Sequence, residues 1–575
     1  MDSAAGDPGV FQLAENLMQN LRNMSTDDLS SLKALIPIIN GIINERNSVS
    51  KIPSEILCHI FRYVPSAYDY ASHIAYKSNP SYITEYPPFM WPDNGLRSTR
   101  ELIPITRVCR RWREIALGSP LLWSSISDPS DSAALTYLER AGGSVPLTVY
   151  LGRISTQFCR NVFDSHILRL RELHVMLWYT PGLRSSSFPR YFNSPAPELE
   201  NLTISIDPNS ANRPPNVEFP ILFDGNIPRL KVLNLHFQTW LPGNHFPNLT
   251  HLFLFVPSIA TEYEPTAILT LLSKCPMLQD MVVVNVAPPS DWDYGLRYRS
   301  APLHHLRRVA MGRMPMLLVA WLLSQIILPT EGLALRAFET RSVGISDMTH
   351  LPSADAFRRF TRLHLIMRTL NTFQLVATGS DCGFHADTKV YDNTGPLSLD
   401  EFELLAQHSI LPVDRIKELW VTIEPLQTEA FVTLLNAFPA LTVLVLNIPR
   451  SDIDLLVALA LITDSEGTPV PPLCPYLSTL HLYLNEAMPV PHSLGAIAAG
   501  RAQHGHRIQH LIVESVPESI AQLEADLEWA HLGIVWMWSR SGLLESHLRW
   551  KYRRSAPPNF TSTGRHGRLI FWTFC

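Results

Sequence analysis

One short pattern recurs along this chain and fixes most of what it can fold into. Six segments read Pro-x-Leu-x-x-Φ-x-Φ, where Φ is apolar. They are Pro197/Leu199/Leu202/Ile204, Pro228/Leu230/Leu233/Leu235, Pro247/Leu249/Leu252/Leu254, Pro276/Leu278/Met281/Val283, Pro439/Leu441/Leu444/Leu446 and Pro475/Leu477/Leu480/Leu482. Five more keep the apolar triad without the proline: Leu170/Leu173/Val175, Leu306/Val309/Met311, Phe360/Leu363/Leu365, Ile416/Leu419/Val421 and Ile508/Leu511/Val513. Successive triads start 29, 31, 19, 29, 28, 54, 56, 25, 36 and 31 residues apart. The two long steps read as doubled periods. Leu335/Phe338/Thr340 fills the first, and nothing fills the second, near residue 388.

The last two triad positions are two residues apart, so in a strand they share one face. Between strands the period turns helical. Ile268, Leu271, Leu272 and Cys275 stand at i, i+3, i+4 and i+7 before Pro276, and Phe431, Leu434, Leu435 and Phe438 do the same before Pro439. These two units superpose without a gap at an offset of 163 residues. Proline cannot continue a helix, so it stops one element and starts the next reversal. Helix and strand alternating at this period predict an α/β fold with a parallel sheet.

Composition agrees. Proline outnumbers glycine 46 to 26, which fits a chain punctuated by proline. At 46% hydrophobic the 575 residues are not a disordered chain, and they read better as a short block plus a long array than as four domains. Seven cysteines at irregular spacing, with no CxxC pair, give neither a disulfide framework nor a zinc ribbon and point to a reducing compartment. The acidic start lacks the order of a signal peptide. The longest apolar run, Met314 to Leu328, contains Ser324 and Gln325 and is too short for a span, which needs about 20 residues. The expectation is a soluble protein, cytoplasmic and/or nuclear, with no membrane contact.

Net charge is −5, unevenly spread. The tail, residues 546–575, holds Arg549, Lys551, Arg553, Arg554, Arg565 and Arg568 and no acidic residue, leaving −11 on residues 1–545. An acidic body argues against nucleic-acid binding. The basic tail either meets an acidic partner or is a solvated, poorly ordered terminus.

The amino-terminal segment, residues 1–49, reads as helix over 11–46, with a break at Ser25-Thr26-Asp27-Asp28 that offers a cap. KIPSEILCHIFRYV (Lys51 to Val64) follows, with proline at a helix start and Ile56, Leu57, Ile60 and Phe61 as an apolar stripe. VCRRWREIALGSPLLWSSI (Val108 to Ile126) places Val108, Trp112, Ile115 and Ala116 on one helical face; Gly118 ends the helix, and Leu121 and Trp123 pack after it. So small a block wants a partner or a neighbouring domain.

IPSEILCHIF resembles the opening of an F-box, and VCRRWREIALGSPLLW resembles its second half. The triads resemble leucine-rich repeats, though the Asn or Cys that normally follows each strand is missing. Together they are similar to the large F-box family of mushroom-forming fungi. Phe61 and Val108 stand 47 residues apart, farther than in a typical F-box, because of a proline- and tyrosine-rich insertion at about 65–103. It is expected to loop out of the block. The fold expected from this resemblance is α/β: an all-α F-box-like block (residues 50–126), then an irregular leucine-rich-repeat-like solenoid (127–545) with its parallel sheet on the concave face.

The resemblance implies a non-catalytic substrate receptor of an SCF-type ubiquitin ligase. The box would dock on a Skp1-like adaptor, and through it a cullin. Pro53, Ile56, Leu57, Ile60, Phe61, Val108 and Trp112 match the family's adaptor-binding stripe, with Leu121 and Trp123 holding the box together or touching the adaptor's edge. The alternative is an F-box and repeat scaffold acting outside a ligase. A captured protein substrate would meet the strand residues that alternate with the triads: Phe253, Phe255, Trp420, His481 and Tyr483, with Thr203, Asn234 and His236 in register. The other reading of these residues is core, covered by loops or terminal segments.

No phosphate loop, nucleotide fingerprint, GxSxG elbow or HExxH occurs, and no cofactor is expected. His504, His506 and His510 are the best metal candidates, but they run into a strand where i, i+4 spacing is not kept, so they read as surface histidines.

Overall fold

The protein, here a computed structural model, is a mixed α/β structure with a large, mostly parallel sheet. The structure describes residues 8–23, 25–46, 48–66, 97–126, 131–151, 156–177, 192–206, 220–236, 240–256, 264–330, 332–342, 350–351, 358–369, 372–390, 412–423, 428–448, 456, 459, 472–484, 493–515 and 535–537. The basic tail and insertion residues 67–96 lie outside them. Two compact units emerge, one over residues 8–66 and 97–174, the other from residue 175 onward.

The first unit opens with helices α1 (Pro8–Arg22) and α2 (Thr26–Arg46), broken between Asn23 and Ser25. Helix α3 (Ser54–Arg62) follows Pro53, whose carbonyl accepts from the Leu57 amide at 3.0 Å. Next come α4 (Leu102–Ile105) and α5 (Arg110–Leu117), and Gly118 closes α5 by donating to Glu114 O at 2.8 Å. Strands β1 (Ser125–Ile126) and β2 (Leu147–Leu151) pair in parallel. Helices α6 (Asp131–Arg140) and α7 (Thr156–His166) and strand β3 (Leu170–Leu177) complete the series.

The insertion is narrower than its prolines suggest. Leu102 and Ile105 are buried, so α4 belongs to the block although Pro104 sits within it. The ends of the insertion meet. The Ser98 amide donates to Ser66 O at 3.0 Å, and Glu101 accepts from the Ser66 amide and hydroxyl, each at 2.7 Å. Those bonds from Ser66 hold the Glu101 carboxyl below its ordinary value. The chain therefore leaves the block and re-enters it at one hydrogen-bonded neck.

In the second unit β4 (Asn201–Ile206), β5 (Val232–His236), β6 (His251–Phe255) and β7 (Asp280–Val284) each pair in parallel with the next. Helix α8 (Pro265–Leu272) precedes β7. Beyond β8 (Ala301–Pro302) come β9 (Arg308–Gly312), the apolar helix α9 (Met316–Ser324), β10 (Ile326–Ile327) and β11 (Ala334–Ser342). The short strands β8 and β10 pair with each other. Strands β12 (Arg362–Thr369), β13 (Thr372–Thr378) and β14 (Gly383–Val390) form an antiparallel meander. Then β15 (Glu418–Ile423), helix α10 (Thr428–Asn436), β16 (Val443–Ile448), β17 (Thr479–Leu484), helix α11 (Ser493–Gln503), β18 (His510–Ser515) and β19 (Val535–Met537) resume parallel pairing. The 163-residue offset holds: Pro265 and Asp280 open α8 and β7, as Thr428 and Val443 open α10 and β16.

Why the pattern needs its proline is visible in the turns. In all six Pro-x-Leu segments the leucine amide donates to the carbonyl of the residue before proline, as Leu199 to Ala196 and Leu441 to Phe438 do. Proline thus sits second in a four-residue turn, where its fixed φ is favourable. The strand positions then form two unbroken apolar rows. One runs from Leu202 to Leu511 and the other from Ile204 to Val513, crossing every intervening strand without a slip.

Three expectations change. The sheet is not parallel throughout, since β13 runs antiparallel to both β12 and β14, while β11 pairs in parallel with β14, and β12 with β15. The meander accounts for the unfilled step near residue 388. Its face-matched residues are not a triad, because Phe384 and Ala377 carry the row between Leu335 and Leu363. Leu335/Phe338/Thr340 is also three residues out of register: Leu335 and Ala337 occupy the rows, opposite Val309 and Met311. A bulge follows Ala337, and beyond it Thr340 turns inward to lie 2.8 Å from the Thr388 hydroxyl. Finally, helices are not universal between strands; the segment leading to β6 has none among its described residues.

The missing strand-end asparagine has a partial substitute. Asn285 and Arg313, following β7 and β9, and Glu339, in the bulge of β11, take φ of 66°, 55° and 48°. Asn285 tolerates this left-handed region best and donates its side-chain amide to Val256 O at 2.7 Å. Gly312 meets a different demand. A Cβ there would lie 2.4 Å from the ring of Phe338, its partner on the next strand. Gly312→Val is expected to lower stability by about 1–3 kcal/mol through overpacking. Thermal melts check this, with partial rescue by Phe338→Leu.

Candidate functional site

Two surfaces, one in each unit, carry the residues singled out by sequence. In the helical block α3 is apolar over a wider arc than its own core uses. Leu57 and Phe61, four residues apart, point inward at 1% exposure, and the Phe61 ring lies 5.1 Å from that of Trp112. Trp123 is fully buried. Its indole donates to Ala116 O at 2.8 Å, Tyr137 stacks on it at 5.7 Å, and the Arg140 guanidinium lies over its ring at 4.4 Å. These groups fill the block's interior without help.

The neighbouring arc stays uncovered. Ile56 is 51% exposed and Ile60 45%, and with them Pro53, Tyr63 and Val64 are exposed. Val108 and Leu121 are exposed at the turns flanking α5. The stripe expected from sequence therefore splits. Pro53, Ile56, Ile60, Val108 and Leu121 face out and Trp112 is half-buried, whereas Leu57, Phe61 and Trp123 are core. Leu122 joins Trp123 inside, so Leu121 is free of the packing role expected of it. Spacing could not separate the two sets, because Ile56/Ile60 and Leu57/Phe61 are both i, i+4 pairs one position apart. On the other side of α3, Glu55, Cys58 and Arg62 line a polar groove with Arg111, Glu114 and Ser119.

On the second unit the sheet face opposite the triads changes character along its length. Toward β4 it is closed. Phe253, Val282, Val284 and Phe338 form a buried apolar cluster with Phe255 packed against it. The His236 ring lies 4.6 Å from Phe253, and Asn234 donates to the Thr203 hydroxyl at 3.1 Å. Phe253, at 2% exposure, is thus core and not an open contact residue.

At the starts of β6, β7 and β9, and farther along on β11 and β14, the same face is charged. Asp280 is nearly buried and receives Arg308, paired through two nitrogens, and His251 Nε2 at 3.0 Å. Burial alone would raise the Asp280 carboxyl; the hydrogen bonds from His251 and Arg308, with their charges, outweigh it and hold it below its ordinary value. Arg336 on β11 stands beside His385 on β14. Burial, helped by Arg336, pushes His385 down to about 4, and burial together with Glu339 raises Asp387. Sequence reading missed His385 and Asp387 because β14 carries no triad, whereas His251, Asp280 and Arg308 each stand directly before a triad residue.

Toward β18 the face opens. Trp420, His481 and Tyr483 are half-buried, and Val445 lies between Trp420 and His481 in register. Trp420 donates to Glu418 Oε1 at 2.7 Å, Glu418 pairs with Arg362 at 2.9 Å, and the His364 ring lies 5.6 Å from Trp420. His481 and Tyr483 stack at 4.4 Å. Aromatic rings fixed by hydrogen bonds on a rigid sheet suit recognition of another chain. His364 was the recoverable omission, since it stands between Leu363 and Leu365 of a recognised triad.

The metal candidates do not converge. His504 Nδ1 lies 2.9 Å from Gly500 O and His506 Nδ1 lies 3.0 Å from Pro475 O. Among the described residues no group of three or more His, Cys, Asp or Glu could hold a metal ion, and no helix is long and apolar enough to cross a membrane. No family model matches this chain, and no curated protein matches it in sequence.

Proposed function

We propose that this protein is the substrate-recognition subunit of an SCF-type ubiquitin ligase. The helical block is an F-box that docks on a Skp1-like adaptor and so on a cullin. The large sheet belongs to a leucine-rich-repeat-like solenoid whose open face captures a protein substrate. The chain positions substrate and leaves transfer chemistry to other subunits, in the cytoplasm and/or nucleus.

The observation that carries this reading is the uncovered aliphatic arc of α3, Ile56 and Ile60, on a block whose core is already filled by Leu57, Phe61 and Trp123. An exposed apolar stripe beside a complete core is what a docking surface looks like before its partner arrives. The neck at Ser66 and Ser98 supports it, because the insertion need not separate α3 from α5. The test is co-expression of the full chain with a Skp1-like adaptor and a cullin. A complex with both supports the reading; adaptor without cullin points to a scaffold outside a ligase; no adaptor complex overturns it.

On the sheet, Trp420→Ala is expected to reduce substrate capture without a change in thermal midpoint. Its ring is half-buried and its indole bond to Glu418 is lost to solvent at little cost. Proximity labelling in proteasome-inhibited cells, wild type against variant, reads the loss. Aggregation of the variant would make Trp420 structural.

A further inference from the structure

We infer that α2 is the pairing surface for a second copy of this chain, in an antiparallel, two-fold arrangement. The inference is independent of adaptor binding. Leu35, Ile38, Ile39, Ile42 and Ile43 are each at least 50% exposed. At about 100° per residue they fall within one arc roughly 140° wide, the width of a helix face made to be covered. Together they present roughly 500 Å² of apolar surface, at the upper end for the largest patch on a monomer. Two such faces remove about 1,000 Å² from water, the threshold for a specific interface.

Charge selects the occupant. Acidic residues Asp27 and Asp28 stand in the first turn of α2, and Arg46 in its last, with Lys51 just beyond. A two-fold axis near Ile39 sets Leu35 of one copy by Ile43 of the other. It also sets the end of α2 that is acidic in sequence toward the partner's basic end, and opposes the helix dipoles favourably. Parallel pairing would set like charges together. A lipid surface is disfavoured, because interfacial helices carry a polar face rich in Lys and Arg, and α2 has only Lys33 and Arg46 against Asp27, Asp28 and Glu45.

Sedimentation velocity of the full chain across the micromolar range is expected to give twice the 64.9 kDa monomer mass. Ile38→Glu with Ile42→Glu should return it to monomer with unchanged circular dichroism, since both side chains are already exposed. Asp27→Lys/Asp28→Lys chains and Arg46→Glu/Lys51→Glu chains should each be monomeric alone and pair when mixed. A monomeric wild type, a double glutamate variant that still dimerises, or charge variants that fail to pair on mixing would overturn the inference.

Discussion

Replacing both Ile56 and Ile60 with aspartate is expected to weaken binding to a Skp1-like adaptor by at least about a hundredfold while leaving the block folded. Each isoleucine has about half its surface still to bury. At 1.5–3 kcal/mol for a fully buried aliphatic side chain, removing both forfeits roughly 1.5–3 kcal/mol of docking energy, and each carboxylate adds a desolvation cost. That is about ten- to a hundredfold in affinity before the charges are counted, and the charges carry it past a hundredfold. Titration calorimetry of the full chain against adaptor measures it. Leu57→Asp is the wrong probe of docking, because Leu57 is core; it and Phe61→Ala should unfold the block, the latter at a cost of about 3–5 kcal/mol. Loss of binding in the core variants alone, with the Ile56/Ile60 variant still binding fully, would remove α3 as the docking element.

Asp280→Asn is expected to be the most damaging polar change on the sheet. Its carboxylate is nearly buried, while Arg308 is half exposed and can return to water. The loss is therefore that of charge-assisted hydrogen bonds, about 2–3 kcal/mol, and not that of a stranded buried cation. In a unit this large the thermal midpoint should fall by roughly 5 °C. The pH dependence has a definite sign. The folded carboxyl titrates below its ordinary 3.8, so its contribution is complete above that value and is lost as pH falls through the lower, folded one. The gap between wild type and Asp280→Asn should be open near neutral pH and close as pH falls below about 4. A gap of equal size at pH 3 would show that Asp280 acts by shape, not charge.

The strands were legible because their signal is local. A turn with proline second, a leucine closing it and two apolar residues of one parity lie within eight positions, and the sheet repeats that geometry from Leu202 to Val513. The meander was not legible for the same reason. Strands β13 and β14 begin from a hairpin and a loop, without the proline turn, and their inward residues Leu375, Ala377, Phe384 and Ala386 fit no triad. In the block, periodicity found α3 and α5 but could not tell which of two adjacent apolar pairs faces the core. That choice depends on Trp112, whose ring meets Phe61 and which is far away in sequence.

The neck at Ser66 and Ser98 also bears on how freely this chain can change length. When both ends of a segment are held at one point, its length enters stability only through the entropy of closing a loop. That entropy grows with the logarithm of residue number, by about 0.6 kcal/mol per doubling. Between two ends so close together, added length raises the closing entropy only slowly. The bonds joining Ser66 to Ser98 and Glu101 thus make this the place in the block where residues can be gained or lost with least strain on the helices α3 and α4 that flank it.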